Sequence, residues 1–234
     1  RIEIEAADML AFQALWAKAV RSRSQKHCFR FYSDEGDEED EEDPFKKGSY
    51  ENLERLQNLF HETVSCLTDR NYGLKIAVCL RRQPKELIPV ISSFLHGHLL
   101  IPLDWRSKPT ASVALIQSCS GVDVLVCEEE HQEKFRELLP NNLAILSISL
   151  NGKRDDLNFH SVFGSLQTSE NERKDSQVIS DQSASLEGTA YILHTSGSTG
   201  APKGVLGAYS GLLNRLEWGW RTFPFATAAP ARPP

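Results

Sequence analysis

TAYILHTSGSTGAPKGV, residues 189–205, runs from a β-rich stretch into a loop whose composition suits neither a helix nor a sheet interior. Between His194 and Gly204 it holds three glycines, four hydroxyl side chains, one proline and one lysine. Gly197, Gly200 and Gly204 permit close backbone approach and unusual dihedrals, so several N–H groups can point at one anion. Thr195, Ser196, Ser198 and Thr199 add neutral donors, and Lys203 adds a mobile point charge. VLG and a helical AYSGLLNRLEWGW follow. Strand, glycine-rich loop and return to regular structure is the order of a phosphate site. A Walker loop needs GxxxxGK followed by Ser or Thr, but Lys203 lies between Pro202 and Gly204; the GxGxxG spacing also fails. A flexible linker shares the Ser/Gly composition, yet needs neither Pro202 and Lys203 in fixed order nor an apolar run leading directly into it.

Working back toward the N-terminus, short apolar runs alternate with helical patterns. KIAVCL (75–80) reads as a strand, PKELIPVISSFLHGH as a helix with a proline start, and LLIPLD (99–104) as the next strand. PTASVALIQSCS, opened by Pro109, reads as a helix, VDVLVCEE as a fully buried strand, HQEKFRELLP as a short helix and NLAILSISL as a further strand. Such alternation predicts an α/β fold, a parallel sheet with flanking helices. Residues 8–20 and 50–67 carry apolar positions at helical spacing, among them Leu53, Leu56, Phe60 and Val64, and are expected to pack on that sheet.

Composition bounds the rest. With 234 residues, 40% of them hydrophobic, the chain has room for one domain of good size or two small ones and can bury a core. Its longest apolar stretch, residues 87–103, is broken by Ser92, Ser93, His96, Gly97, His98 and Pro102, so no membrane span is expected. The formal charge of −6 is local: nine of the ten residues in DEGDEEDEED (34–43) are acidic, and without them the balance is +3. That block reads as a solvated insertion, and residues 165–187 as a long exposed connection. No nucleic-acid partner is expected. Five cysteines, an odd number without a CxxC pair, predict buried free thiols in a reducing, cytoplasmic compartment, and metal-ligand spacing is absent. The opening RIEIEAADML has no signal-peptide pattern, and the lack of an initiator Met leads us to expect a fragment.

The stretch from Thr189 to Val205 resembles the signature of the adenylate-forming superfamily, the AMP-binding enzymes that include acyl-CoA synthetases, luciferases and the adenylation domains of non-ribosomal peptide synthetases. SYENLERLQNLFHETVSCL (49–67) resembles an early helix of that family, and FLHGHLLIPLD (94–104) its KAGAAYVPLD segment through Gly97, Pro102, Leu103 and Asp104. GLLNRLEW is similar to the subgroup of acyl-activating enzymes related to aminoadipate-semialdehyde dehydrogenase. The resemblance implies the N-terminal part of an ATP-dependent acid-thiol ligase. A carboxylic acid attacks the α-phosphate of ATP, giving acyl-adenylate and pyrophosphate, and a thiol of coenzyme A or phosphopantetheine then takes the acyl group. It also implies that Thr195, Ser196, Gly197, Ser198, Thr199, Gly200, Ala201, Pro202 and Lys203 hold the β- and γ-phosphates, with Mg²⁺ sharing the charge.

The family's later motifs, for adenine, ribose and the adenylating lysine, find no match in the thirty residues after Gly204. The expected organisation is an N-terminal helix and acidic insertion (1–48), a partial, incomplete AMP-binding domain (49–225) and an atypical Ala/Pro tail (226–234). A non-catalytic piece that at most binds nucleotide phosphates, or serves in an interaction, stays open as the alternative. Tyr209 stands where many family members have histidine, which bears on substrate contacts. His96 and His98, around Gly97, read as structural; His194 reads as packing beside the loop; Asp104 and Trp105 read as a strand-end turn. Trp218, Trp220, Phe223 and Phe225 would form a core face in a longer protein.

Overall fold

The computed structural model describes residues 2–23, 27–30, 47–119, 121–150, 157–162, 188–195 and 202–222. The acidic run 34–43, the connection 165–187 and the tail 226–234 lie outside the described residues. In chain order the elements are α1 (Ile2–Arg23), β1 (His27–Arg30), β2 (Lys47–Ser49), α2 (Tyr50–Thr68), β3 (Lys75–Cys79), a 3₁₀ turn (Pro84–Glu86), α3 (Leu87–Leu95) and β4 (Leu99–Pro102). They continue with α4 (Pro109–Ser118), β5 (Val124–Cys127), α5 (Glu129–Leu138), β6 (Ala144–Leu150), β7 (Leu157–Val162), β8 (Thr189–Thr195), β9 (Lys203–Ala208) and α6 (Tyr209–Thr222).

Local sequence sets the ends of these elements. Ser49 caps α2, its hydroxyl accepting the Asn52 N–H at 3.1 Å, and Asp69 closes the helix in the left-handed region. Leu53, Leu56, Phe60 and Val64 recur at three- and four-residue steps and are all buried, so α2 lays one stripe on the sheet. Gly97 turns α3 into β4 at φ 68°, a conformation that a side chain would strain.

A seven-stranded sheet has the order β7-β6-β5-β3-β4-β8-β9. Its five inner strands, β6 to β8, are mutually parallel, as the alternating pattern predicts. Both outermost strands are antiparallel, which the sequence reading did not anticipate: β7 returns beside β6, and β9 beside β8. β3 and β5 read as unbroken apolar runs because both sheet faces are covered. On one face α2 and α3 pack over Ile76, Val78, Leu100, Val124, Val126 and Leu146. On the other, Val113 and Ile116 of α4 and Phe135 of α5 pack over Ala77, Cys79, Ile101, Leu125 and Ile145.

The chain moves outward from β3 to β4 through α3 on the first face. It then steps back across β3 to β5 through α4 and on to β6 through α5, both on the second face. Reversing direction while changing face keeps every crossover the same hand and makes the gap between β3 and β5 a topological switch point. The expected burial of thiols holds for Cys79, Cys119 and Cys127, all free, whereas Cys66 is exposed on α2. Among the described residues no helix is long and apolar enough to cross a membrane.

Candidate functional site

β8 runs parallel to β4, with Leu100 beside Tyr191, so Thr195 emerges at the sheet edge where β3, β4 and β5 also end. In open α/β sheets ligands bind outside this carboxyl edge. β9 then returns antiparallel, pairing Thr195 with Lys203, His194 with Gly204 and Leu193 with Val205. The glycine-rich segment is therefore the tip of a hairpin. Thr195 and Lys203 form its root, the Thr195 hydroxyl reaching the Lys203 carbonyl at 3.4 Å. Ser196, Gly197, Ser198, Thr199, Gly200 and Ala201 lie outside the described residues. Pro202 and Lys203 are exposed, and among the described residues no carboxylate pairs with the Lys203 ammonium. Sequence reading placed Lys203 in the loop; it opens a strand instead, because its backbone completes the ladder opposite Thr195.

Bare glycines explain how the hairpin closes. A Cβ on Gly207 would lie 2.2 Å from the ring of Tyr191, its cross-strand partner. At Gly204 a Cβ would meet Ile192 Cγ2 at 3.2 Å and His194 Nε2 at 3.8 Å. Two rings on β8 thus lie over glycine backbone on β9, and the GVLG spacing is the signal that could have revealed the strand.

His194 packs beside the hairpin root, as expected. Its Nε2 is 3.5 Å from the Cys119 Sγ at the end of α4, and burial holds the imidazole below its ordinary pKa. Its Nδ1 is buried with no hydrogen-bond partner among the described residues. Tyr209 is buried. Its hydroxyl donates to the Ser93 carbonyl at 3.3 Å, its ring meets Phe94 edge-on, and burial pushes the phenol up. This tyrosine bolts α6 to α3.

His96 and His98 are structural, and they have a partner the sequence reading missed, His61 of α2. His61 stacks on His96 with centroids 3.7 Å apart and lies 3.2 Å from His98 through Nδ1 and Nε2. Among the described residues no group of three ligating side chains could hold a metal ion. Asp104 accepts the Arg106 N–H at 3.1 Å, which is the expected strand-end turn. Trp218 is 45% exposed with Arg215 over its ring at 4.2 Å; the side chain of Trp220, and Phe223 and Phe225, lie outside the described residues.

A second concavity, also unanticipated, opens at the switch point. Arg81, Gln83 and Lys85 after β3 face Glu128, Glu129 and Glu130 after β5 across a cleft of about 610 Å³. Glu128 is already engaged, accepting the Arg81 backbone N–H at 2.8 Å and pairing with Lys85, while Arg81 pairs with Glu130. These bonds stitch the ends of β3 and β5 together at the edge that carries the hairpin.

The family model described as AMP-binding enzyme matches residues 65–230. The chain belongs to the AMP-binding enzyme family. Relatives within this family include zwittermicin A synthase ZmaJ of Bacillus cereus, 26% identical over 153 residues, which covers 65% of this chain and 25% of that protein. D-alanine–D-alanyl carrier protein ligase of Listeria monocytogenes is 28% identical over 175 residues, 73% of this chain and 30% of that protein. Among solved structures, o-succinylbenzoate CoA synthetase of Bacillus subtilis, in complex with its acyl-adenylate intermediate, superposes with TM-score 0.58 at 13% identity. That alignment covers 91% of this chain and 46% of the synthetase, a likeness of fold. The chain thus spans about a quarter to a third of the length of these curated relatives.

Proposed function

We propose that this chain carries the triphosphate-binding part of an ATP-dependent acid-activating enzyme. The observation that carries the reading is the exposed Lys203, with no carboxylate partner among the described residues, beside Thr195 at the root of a glycine-rich hairpin on the carboxyl edge of the sheet. Thr195 through Lys203, including Ser196, Gly197, Ser198, Thr199, Gly200, Ala201 and Pro202, are assigned to the β- and γ-phosphates of ATP. A donor set of one ammonium, hydroxyls and backbone N–H groups, with no carboxylate paired to the ammonium among the described residues, fits a polyanion. It does not fit a protein-ligated metal, so Mg²⁺ is expected on phosphate oxygens and water, where it neutralises charge.

The reaction follows from that placement. A carboxylate oxygen of a small acid forms a bond to the α-phosphorus, the bond from that phosphorus to the β-bridging oxygen breaks, and pyrophosphate leaves with the electron pair. Lys203 and the hairpin stabilise the charge gathering on that leaving group, which is electrostatic catalysis by donors already in place. A thiol sulfur then bonds to the acyl carbon, the bond from that carbon to the phosphate oxygen breaks, and AMP leaves with the electron pair while the thiol gives up its proton. The carrier-protein ligase among the relatives supports a phosphopantetheine acceptor on a carrier protein, and the CoA synthetase fold supports coenzyme A. The assigned organisation is 1–48 as a helix with an acidic insertion, 49–225 as the partial domain and 226–234 as a tail.

In the complete enzyme, Lys203→Ala removes one charge-assisted contact, costing about 1.5 to 3 kcal/mol and slowing adenylation about ten- to a hundredfold. Acyl transfer from a supplied acyl-adenylate should stay near normal, since pyrophosphate has gone by then. Equal loss in both half-reactions would make Lys203 a structural residue and defeat the reading. A second reading, favoured by the short span relative to the relatives, is that these 234 residues alone bind MgATP without catalysis. Acid-dependent pyrophosphate exchange by the isolated chain would exclude it.

A further inference from the structure

We infer that the outer edge of β9, flanked by Leu193, Val205 and Leu206, is the seam where the part of the enzyme beyond these 234 residues adds an eighth strand to the sheet. The inference rests on the reading of this chain as part of a longer acid-activating enzyme. It adds to that reading an interaction surface and the kind of segment that fills it.

β9 ends the strand order, and among the described residues it pairs only with β8, which leaves the peptide groups on its other side unpaired. Exposure at an edge is ordinary for polar residues; here it falls on large apolar ones. Val205 and Leu206 are each 51% exposed, and Leu193, across from Val205, is 45% exposed. Both faces are affected. Leu206 lies opposite Ile192, which packs in the core under α4 and α5. Leu193 and Val205 are one residue out of step with that pair and share the other face with Tyr191, which packs with the core under α2 and α3.

Edge strands that stay open in water carry charge, proline or a bulge along their length. In β9 the charge stands only at the start, on Lys203, and GVLGA follows; the register shift of the hairpin falls at its far end, beside Thr189 and Tyr191. At the opposite edge β7 reads LNFHSV, with Asn158, His160 and Ser161. One edge suits water and the other suits a partner. The occupant's chemistry follows: a strand, to pair the open peptide groups, with apolar side chains on both faces, to continue the two cores. Length gives its source. The match covers 30% of the Listeria carrier protein ligase and 46% of the o-succinylbenzoate CoA synthetase, so more than half of each lies outside it, ample for another strand and its cover. A second copy of this chain would bring only the polar β7 or β9 itself, where Gly204 and Gly207 offer no side chain to the seam.

The test compares this chain with the complete enzyme by hydrogen–deuterium exchange and places Val205→Lys and Leu206→Lys in both. The β9 amides that do not bond to β8 should exchange freely in this chain and about a hundredfold or more slowly in the complete enzyme, where the added strand holds them. Lysine at either position should leave the urea midpoint of this chain unchanged and lower that of the complete enzyme by about 1 M or more, because there the ammonium is buried without a partner. Should the lysine variants of the complete enzyme fail to fold, exchange in the two unsubstituted proteins decides. Equal exchange in both, or a midpoint that falls equally in both or in neither, overturns the inference and leaves the Lys203→Ala result of the previous subsection standing. Protection that disappears when the complete enzyme is diluted to monomer makes the occupant a second copy and overturns it too. If the gene encodes nothing beyond residue 234, the longer enzyme falls and takes the inference with it, and the non-catalytic reading is left.

Discussion

His98 shows how a single buried side chain can fix a protonation state. The Leu74 N–H points to its Nδ1 at 3.4 Å, so the hydrogen resides on Nε2, which donates to His61 Nδ1. A proton added at Nδ1 would collide with that N–H. His96 in turn donates from Nε2 to Gln57 Oε1 at 3.0 Å. Burial first, and neighbouring imidazoles second, pull His96 down to about 4 and His98 to about 3 from an ordinary 6.5. His61 is lowered by burial against a raising influence of Glu62, and Arg70 adds to the depression at His98. The unfolded chain thus takes up protons that the folded chain refuses. Stability from this cluster is complete above pH 6.5 and is lost as pH falls toward 4 and then 3. The urea midpoint should fall steadily between pH 7 and 4. His98→Gln should lower it at pH 7 and flatten the slope; an unchanged slope would mean that the cluster does not titrate on folding.

At the scale of elements, Gly207 tests the hairpin. Its α-hydrogen lies under the Tyr191 ring, and a methyl 2.2 Å from ring carbons forces the aromatic ring or β9 to shift. Gly207→Ala should cost about 1–3 kcal/mol in urea unfolding, the range for overpacking, and Tyr191→Ala in the same chain should relieve most of that increment. The inner strands were legible because a covered parallel strand has to be apolar throughout, as IAVC and VLVC are. α2 was legible from the repeat of Leu53, Leu56, Phe60 and Val64. β9 was hidden because KGVLGA carries glycine where a strand normally carries a branched side chain, its partners' rings supplying the missing cover. β7 was hidden because LNFHSV sits at the sheet edge and tolerates polar residues. At the candidate site, Lys203 and the glycines led to the phosphate chemistry proposed above, while the His194–Cys119 contact joins residues far apart in sequence and no spacing rule could bring them together.

On the scale of the molecule, the acidic run 34–43 tests whether the sheet domain is self-sufficient. Nine carboxylates in ten residues repel one another and offer no apolar surface to bury. Deleting the run should leave stability within about 0.5 kcal/mol, read from thermal unfolding, and loss of the cooperative transition would assign it a place in the fold. The sheet order has a further consequence for a growing chain. β4 is the inner neighbour of β8, yet Leu100 waits about ninety residues for Tyr191 to pair with it. At about 5–20 residues per second a ribosome takes roughly 5–20 seconds to supply that partner. For that interval the nascent domain has β4 as a bare border, its N–H and C=O groups open to another nascent chain. Slower synthesis between β4 and β8 lengthens that exposure, and with it the window in which the bare border can pair with the wrong chain.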